Sequence, residues 1–256
     1  IENTKVIDWA YSNRKPVSQK PKMIYLASIL LGLLVPFGIL YVRDLLDNKV
    51  HGIKDLEPFK LQGVGEIPEY ETENKIVVTK DSRNVISEVF RSIRTNLNFL
   101  LAGKENRKVI AVTSTVSGEG KTFISINLAH ALSHTGKKTV LVGLDLRAPK
   151  FLNYLDIEKD RGVSNYIIDD KVTIEDILIP AEDNPNLSYI ISGLIPPNPA
   201  ELLLNPRLGE LIKELSENFD YVIIDSAPVG LVSDTLNFLE HIDLLLYVAR
   251  AEKAEK

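Results

Sequence analysis

Four residues near the middle of the chain have the types and the spacing that bind a phosphate group. Gly118 and Gly120 lie in the run SGEGKT (117–122), and Lys121 and Thr122 follow directly. Glycines let backbone N–H groups approach phosphate oxygens without a Cβ in the way. The lysine brings a positive charge to the β- and γ-phosphates of a nucleotide, and the threonine hydroxyl can ligate Mg²⁺. The pattern predicts a site for a nucleoside triphosphate and Mg²⁺.

Such a loop needs a strand before it and a helix after it, and the sequence predicts both. The run 109–112 is apolar and β-branched, as in a buried strand. Apolar residues at helical spacing follow over 124–132, and Gly136 is predicted to cap the end of this helix. Thr115 departs from the pattern G-x-x-x-x-G-K-[ST], which has glycine at that position. A chance match at an ordinary helix start is the alternative, and the flanking strand and helix argue against it.

Two carboxylates are predicted at the ends of neighbouring strands. Asp145 follows the apolar run 139–144, and Asp225 ends the run YVIID at 221–225. Carboxylates at the C-terminal edge of parallel strands, beside a phosphate loop, are where Mg²⁺ is bound. The alternative for Asp225 is a capping or surface carboxylate. The loop at 117–122 favours a role in holding Mg²⁺ through water.

The remaining patterns predict an α/β fold. Strand patterns at 187–191 and 243–248 alternate with helices that begin near residues 200 and 206. This alternation is typical of a P-loop NTPase-type, mostly parallel sheet with helices on both faces. Asn205 is predicted to cap the helix near 206, which has proline in its first turn.

A further helix is predicted to begin at a cap, Asp81 or Ser82, and to end near residue 101. Beside its apolar stripe, three charged residues are spaced three positions apart and so lie on one side of the helix. A solvated face with an internal ion pair is the simplest interpretation of this spacing. The three residues are Glu88, Arg91 and Arg94.

The residues from Ile24 to Val42 carry no charge and are long enough to span a membrane. A signal peptide and a buried core helix are the alternatives. Basic residues flank both ends of this segment, so their distribution does not predict its orientation in the membrane. Because ATP and Mg²⁺ are cytoplasmic, the residues after the segment are predicted to be cytoplasmic. The predicted organisation is a juxtamembrane segment on the extracytoplasmic side (1–22), a transmembrane helix (23–43), a cytoplasmic linker (44–81) and a P-loop domain (82–256).

Composition excludes several other classes of function. The formal charge of −5 gives no basic surface for nucleic acid, and the absence of cysteine excludes disulfides and thiolate chemistry. His130 and His134 lack the glutamate of a zinc-protease motif, so we interpret them as surface histidines. The chain begins at Ile1 rather than Met, and we expect it to be part of a longer protein.

Taken together, the motifs resemble the bacterial tyrosine kinases (BY-kinases) that act as polysaccharide co-polymerases in capsule and exopolysaccharide export. No single motif would be specific, because partition-type ATPases share the loop and the acids, but Val116 replaces the signature lysine of that group. The resemblance rests on SEVFRSIRTNL at 87–97, SGEGKT at 117–122, DLRAP at 145–149, PPNPAELL at 196–203 and IIDSAPV at 223–229.

The resemblance implies a kinase domain in the cytoplasm, anchored in the inner (plasma) membrane, that phosphorylates tyrosines near the C-terminus of a neighbouring copy within a ring. It implies the polysaccharide export machinery and the membrane as further partners, and no nucleic acid. The helix with Glu88, Arg91 and Arg94 matches the family's E-x-x-R-x-x-R subunit-contact motif. The implied residues are Lys121, Asp145, Arg147 and Asp225 for catalysis, Ser117, Gly118, Glu119, Gly120, Lys121 and Thr122 for ATP, and Thr122, Asp145 and Asp225 for Mg²⁺.

One departure from the family pattern leaves alternatives open. Gly143 replaces the first acid of the D-x-D-x-R motif, and we hypothesise that Asp145 takes over its roles near Mg²⁺ and the tyrosine hydroxyl. An ATP-switched ring-assembly ATPase that phosphorylates no tyrosine is the alternative that Gly143 favours. A structural subunit with a vestigial nucleotide site is a third possibility, against which Lys121, Thr122 and Asp225 argue.

Overall fold

The structure is a computed structural model, and it forms two compact units, Ile1–Asn48 and Lys49–Lys256. In the first unit, helix α1 (Pro21–Leu45) is apolar and has no buried residue. Among the helices described, α1 alone is long and apolar enough to cross a membrane, by length and composition. The described residues are 21–69, 75–103, 108–149, 151–155, 160–230 and 238–254.

A six-stranded sheet forms the centre of the second unit. Its strands are β1 (Lys108–Ser114), β2 (Thr139–Gly143), β3 (Ile179–Pro180), β4 (Leu187–Ile190), β5 (Tyr221–Asp225) and β6 (Leu244–Val248). Their order is β3-β4-β2-β5-β1-β6. Every neighbouring pair is parallel except β3 with β4. The predicted mostly parallel α/β fold is therefore confirmed, with a short antiparallel edge strand that the sequence did not predict.

Helices cover both faces of the sheet. They are α2 (Val85–Leu100), α3 (Lys121–Ser133), α4 (Val163–Ile168), α5 (Ile174–Ile177), α6 (Pro199–Leu203) and α7 (Pro206–Asn218), with 3-10 turns at Ile53–Phe59 and Phe151–Asn153. The predicted cap of α2 is wrong, because Asn84 accepts the Ser87 N–H instead. Ser82 accepts the N–H of Thr79 in a turn before the helix.

The core has two layers because the strands of the sheet's centre are buried on both faces. In β1, Ile110 and Val112 pack with α2 and α3, whereas Val109 and Ala111 pack on the side of α7. This alternation follows from the two-residue period of a strand. It is also why parallel strands have nearly continuous apolar sequences.

A buried asparagine in α3 attaches part of the predicted linker to this core. Asn127 Oδ1 accepts the N–H groups of Val77 and Val78, at 2.8 and 3.1 Å. Its Nδ2 donates to the carbonyl of Lys75 at 3.1 Å. The described residues 75–78 are therefore fixed to the helix that follows the loop. The domain boundary at residue 82 stays a prediction, because compactness does not say which residues a domain needs to fold.

His130 is buried rather than on the surface, so the surface interpretation of this residue is wrong. Its side chain is 1% exposed, and its Nε2 lies 3.0 Å from the hydroxyl of Tyr189. Burial lowers the pKa of His130 to about 4, with Asp183 opposing the shift and His134 adding to it. The imidazole is consequently neutral in the folded chain near pH 7.

Acidification is expected to destabilise the folded chain through His130. The unfolded chain protonates this imidazole near its ordinary pKa of 6.5, whereas the folded chain does so only near 4. Between these values the unfolded state binds more protons, so the free energy of unfolding falls as the pH falls, by on the order of 3 kcal/mol in total. Urea unfolding of the wild-type chain and of His130→Gln from pH 7 to 4.5 measures this loss.

The wild-type chain is expected to lose more stability over this range than His130→Gln does. Asp225 has a raised pKa and so acts in the opposite direction between its ordinary value and about 6. That contribution is common to both proteins and cancels in the comparison. Equal pH dependence of the two proteins would contradict the assignment to His130.

Candidate nucleotide-binding site

The predicted phosphate loop connects the end of β1 to the start of α3. Gly118 and Gly120 both have positive φ angles, of 85° and 95°, which explains why glycine is needed at these two positions. Gly120 is the N-cap of α3 and provides no side-chain cap. The first N–H groups of this 13-residue helix therefore point towards the loop, where an anion can accept them.

Side chains and neighbouring backbone hold the loop in shape. Glu119 is buried, and its Oε2 accepts the N–H of Val116 at 2.8 Å. The carbonyl of Thr115 accepts the N–H of Gly230 at 3.1 Å, and the Thr115 hydroxyl bonds to that of Tyr247. A Cβ on Gly230 would lie 2.4 Å from the Thr115 carbonyl oxygen, so this close approach requires glycine. The threonine that replaces the first glycine of the pattern is thus anchored to neighbouring segments.

Lys121 and Asp145 form a buried ion pair beside the loop. Lys121 Nζ lies 3.1 Å from Asp145 Oδ2, and their side chains are 8% and 11% exposed. The other oxygen of Asp145 accepts the N–H of Ala148 at 3.1 Å. The N–H of Leu144 donates to the carbonyl of Asp225 at 2.8 Å, which joins the ends of the two strands.

Asp225 is buried at the end of β5 and is satisfied by two hydroxyls from the first turns of α3. Thr122 Oγ1 donates to Oδ2 at 2.8 Å. Ser125 Oγ lies 3.2 Å from Oδ1 and shares its proton with the carbonyl of Lys121, at 2.9 Å. Burial raises the pKa of Asp225 to about 6, against the opposing effects of Lys121 and the two hydroxyls. Sequence reasoning missed Ser125, although its position one turn after Thr122 was a signal that could have found it.

These donors suit a hard divalent cation. Mg²⁺ is commonly bound through one or two carboxylates together with the phosphates of a nucleotide. Asp225, Thr122 and Asp145 offer that set of oxygen atoms. The described residues contain no cluster of three or more His, Cys, Asp or Glu side chains that would bind a metal without such phosphates.

The structure brings Lys121, Thr122, Asp145 and Asp225 together. Arg147 is exposed, as is Ser117 within the loop.

The three charged residues of α2 make contacts within the chain, away from the loop. Arg91 pairs with Glu88 and also donates to the carbonyl of Ser82 at 2.6 Å. Arg94 donates to the carbonyl of Ala131 at 2.8 Å. Ala131 is ten residues after the first residue of α3, which places this contact about 15 Å along the helix from the loop.

Gly143 is a neighbour of Asp225 in the sheet, where the register pairs β2 with β5. A Cβ on Gly143 would contact Phe151 Cγ and the N–H nitrogen of Ser192, both at 3.5 Å. Phe151 is buried. At the position of the family's first acid, this chain therefore has a glycine covered by an aromatic ring.

Thr122→Val is expected to remove the effect of Mg²⁺ on nucleotide affinity. The substitution keeps the shape of the side chain but removes the hydroxyl beside Asp225, so about 10-fold or more of the Mg²⁺-dependent affinity should be lost. Calorimetric titration with ADP, in Mg²⁺ and in EDTA, measures this difference. Thr135→Val is the matched control, since Thr135 bonds the carbonyl of Leu132 at the other end of α3. A variant that responds to Mg²⁺ like the wild type would show that Thr122 is not a ligand.

Comparison with known proteins identifies the family. Residues 107–253 match the AAA domain family. CapB of Staphylococcus aureus, whose name places it among the tyrosine-protein kinases, is 31% identical over 72% of this chain and 80% of its own length. The tyrosine-protein kinase Wzc of Salmonella typhi is 29% identical over 98% of this chain. The chain spans only 37% of the length of Wzc.

A solved structure has the same fold. The kinase domain of the Escherichia coli tyrosine kinase ETK superimposes with a TM-score of 0.73 at 26% identity, covering 80% of this chain and 84% of the ETK chain. With its phosphate loop and strand-end carboxylates, the chain belongs to the AAA domain family and, within it, to the bacterial tyrosine kinases (BY-kinases).

Proposed function

We propose that the protein is a membrane-anchored, ATP-dependent protein-tyrosine autokinase that regulates capsular or exopolysaccharide polymerisation and export. The observation that carries the proposal is the convergence of Lys121, Thr122, Asp145 and Asp225 at the carboxyl edge of the parallel sheet. Phosphoryl transfer needs little from a protein beyond positioning and charge neutralisation. A loop, a lysine and two carboxylates at one strand edge supply both.

In this proposal the loop, residues 117–120, and Lys121 bind the phosphates of ATP. Thr122, Asp145 and Asp225 hold Mg²⁺, which neutralises charge on the phosphates when it is bound. The lysine has to exchange its present partner, Asp145, for phosphate oxygens. That exchange releases the Asp145 carboxylate from its ion pair when the nucleotide is in place.

The released carboxylate then accepts the proton of a substrate tyrosine. The phenol oxygen forms a bond to the γ-phosphorus while the bond from that phosphorus to the bridging oxygen of ADP breaks. The proton goes to Asp145 and ADP leaves with the electron pair. Arg147 follows Asp145 by two residues, and we propose that it contacts the transferred phosphate.

Partners and location form the second part of the proposal. Helix α1 is the anchor in the inner (plasma) membrane, and the P-loop domain, residues 82–256, lies in the cytoplasm. Copies of the protein assemble in a ring through Glu88, Arg91 and Arg94, and each phosphorylates tyrosines near the C-terminus of its neighbour. Glu88 is exposed and the two arginines are half-buried, so a neighbour can reach them. The polysaccharide export machinery is the further partner.

One observation favours a second candidate, an ATP-switched assembly protein that phosphorylates no tyrosine. Gly143 removes a carboxylate from the strand edge, and Phe151 occupies the space beside it. A site with one acid fewer can still bind and hydrolyse ATP. The two candidates differ in whether the γ-phosphate goes to tyrosine or to water.

Phosphotyrosine is expected to form in the full-length protein on incubation with Mg²⁺ and ATP. Mass spectrometry maps the modified residues, and Lys121→Ala is expected to abolish the signal because the phosphates lose their buried cation. Lys137→Ala is the matched control, since Lys137 pairs with Asp220 on the surface. ATP turnover without phosphotyrosine would reject the kinase in favour of the switch ATPase.

Asp145→Asn is expected to reduce phosphotyrosine formation by at least about 100-fold while nucleotide binding in the absence of Mg²⁺ persists. The amide cannot accept the phenol proton, but it no longer pairs with Lys121, which stays available to the phosphates. Phosphotyrosine yield in Mg²⁺ and ADP affinity in EDTA are measured on the same preparation. Asp170→Asn, which changes an exposed partner of Arg207, is the control. Wild-type phosphorylation in Asp145→Asn would show that another group accepts the proton.

A further inference from the structure

A second lysine contacts the phosphate loop from the segment after β6. Lys253 Nζ donates to the carbonyl of Ser117 at 2.9 Å. The same nitrogen lies 3.0 Å from the position that a Cβ on Gly118 would occupy. The ammonium therefore lies against the peptide that joins Ser117 and Gly118, at the centre of the loop.

The charge of this lysine is not neutralised by its contact with the loop. A carbonyl is a neutral acceptor and uses one of the three N–H donors of the ammonium. Within the described part of the chain, no carboxylate lies at ion-pair distance from Lys253. Lys121, by contrast, is already paired with Asp145. A nucleoside polyphosphate at the loop could therefore contact Lys253 as a second cation. Unlike Lys121, Lys253 would not have to break an ion pair with a carboxylate to do so.

The register of the sheet explains why a residue so distant in sequence reaches the loop. Ser114, the last residue of β1, pairs with Val248, the last residue of β6. Both strands therefore end at the same edge of the sheet. After β1 the chain enters the phosphate loop, and after β6 it enters a turn that contains Lys253. In that turn the N–H groups of Lys253 and Ala254 donate to the carbonyl of Arg250, at 3.1 and 2.9 Å.

The linker holds this turn in place on both sides of Lys253. The N–H of Val50 donates to the carbonyl of Ala254, and the N–H of Glu252 donates to the carbonyl of Val50, both at 2.9 Å. Val50 and Ala254 are buried. Glu252 has a φ of +62°, a conformation that residues other than glycine keep only where the surrounding structure imposes it.

We propose that Lys253 is a nucleotide-binding residue that contacts the phosphates or the adjoining sugar, and that the linker at Val50 holds it on the loop. The inference rests on the proposed binding of ATP at this loop. Because coupling between two binding events is reciprocal, a nucleotide that contacts Lys253 must in turn stabilise the attachment of the linker. Nucleotide binding and the docking of Val50 therefore strengthen each other.

Lys253→Ala is expected to weaken the binding of Mg-ADP and Mg-ATP about 10-fold or more, since a charge-assisted hydrogen bond is lost. Lys253→Arg keeps a cation with donors and should lose less. Lys137→Ala removes an exposed lysine near the other end of α3 and should leave affinity unchanged. Calorimetric titration of the whole chain in detergent micelles provides the three values.

Hydrogen exchange at the Val50 amide separates a nucleotide contact from a merely structural role. Mg-ADP is expected to slow this exchange in the wild-type chain and to leave it unchanged in Lys253→Ala at saturating nucleotide. Unchanged affinity in Lys253→Ala, or equal protection of Val50 in both proteins, would overturn the inference alone. If the wild-type chain binds no nucleotide, the proposed function fails and the inference fails with it.

Discussion

The site depends on one electrostatic constraint, the burial of a carboxylate at the end of a strand. An ionised acid removed from water is very unfavourable unless donors surround it. For Asp225 those donors are the hydroxyls of Thr122 and Ser125, with Lys121 close enough to lower the pKa. Because the donors belong to α3 and the acid belongs to β5, satisfying this carboxylate also fixes the helix after the loop to the strand beside it.

The sheet makes that arrangement possible because β1, which leads into the loop, lies between β5 and β6. Asp225 ends β5, and Lys253 follows β6. Strand β1 pairs with β5 on one side and with β6 on the other, both in parallel. The carboxyl ends of all three strands therefore meet at one edge. A shift of the register by one residue would turn Asp225 to the opposite face of the sheet, away from Thr122.

Local patterns were enough to predict the elements that carry the chemistry. The strands around 109–112 and 221–225 are short apolar runs, and the cap at Asn205 precedes a proline, so neighbouring residues determine them. The failure at His130 depends on a contact between distant residues. His130 is buried because α3 packs under β4, which contributes Tyr189, and nothing in the residues around His130 encodes that partner.

The same reason applies to the parts of the site that sequence reasoning did not find. Lys253 is 136 positions from Ser117 in the chain, and only the pairing of β6 with β1 brings them together. In the sequence Asn127 is an ordinary polar residue of a helix. Its role is visible only in the structure, where its side chain accepts the N–H groups of the linker backbone. The edge strand β3 has only two residues, one of them Pro180, so it is too short to show the alternation of apolar and polar residues that predicts a strand.

The packing of Phe151 on Gly143 limits how an acid can be restored at this strand end. A side chain introduced at position 143 would extend from a Cβ that contacts the aromatic ring at 3.5 Å, an ordinary van der Waals distance. The Cβ itself therefore fits, but the carboxylate of an aspartate would lie beside the buried ring of Phe151, where an ionised group is unfavourable unless donors surround it. Replacing Phe151 by a smaller residue together with Gly143→Asp is therefore the change that would return two acids to this edge of the sheet.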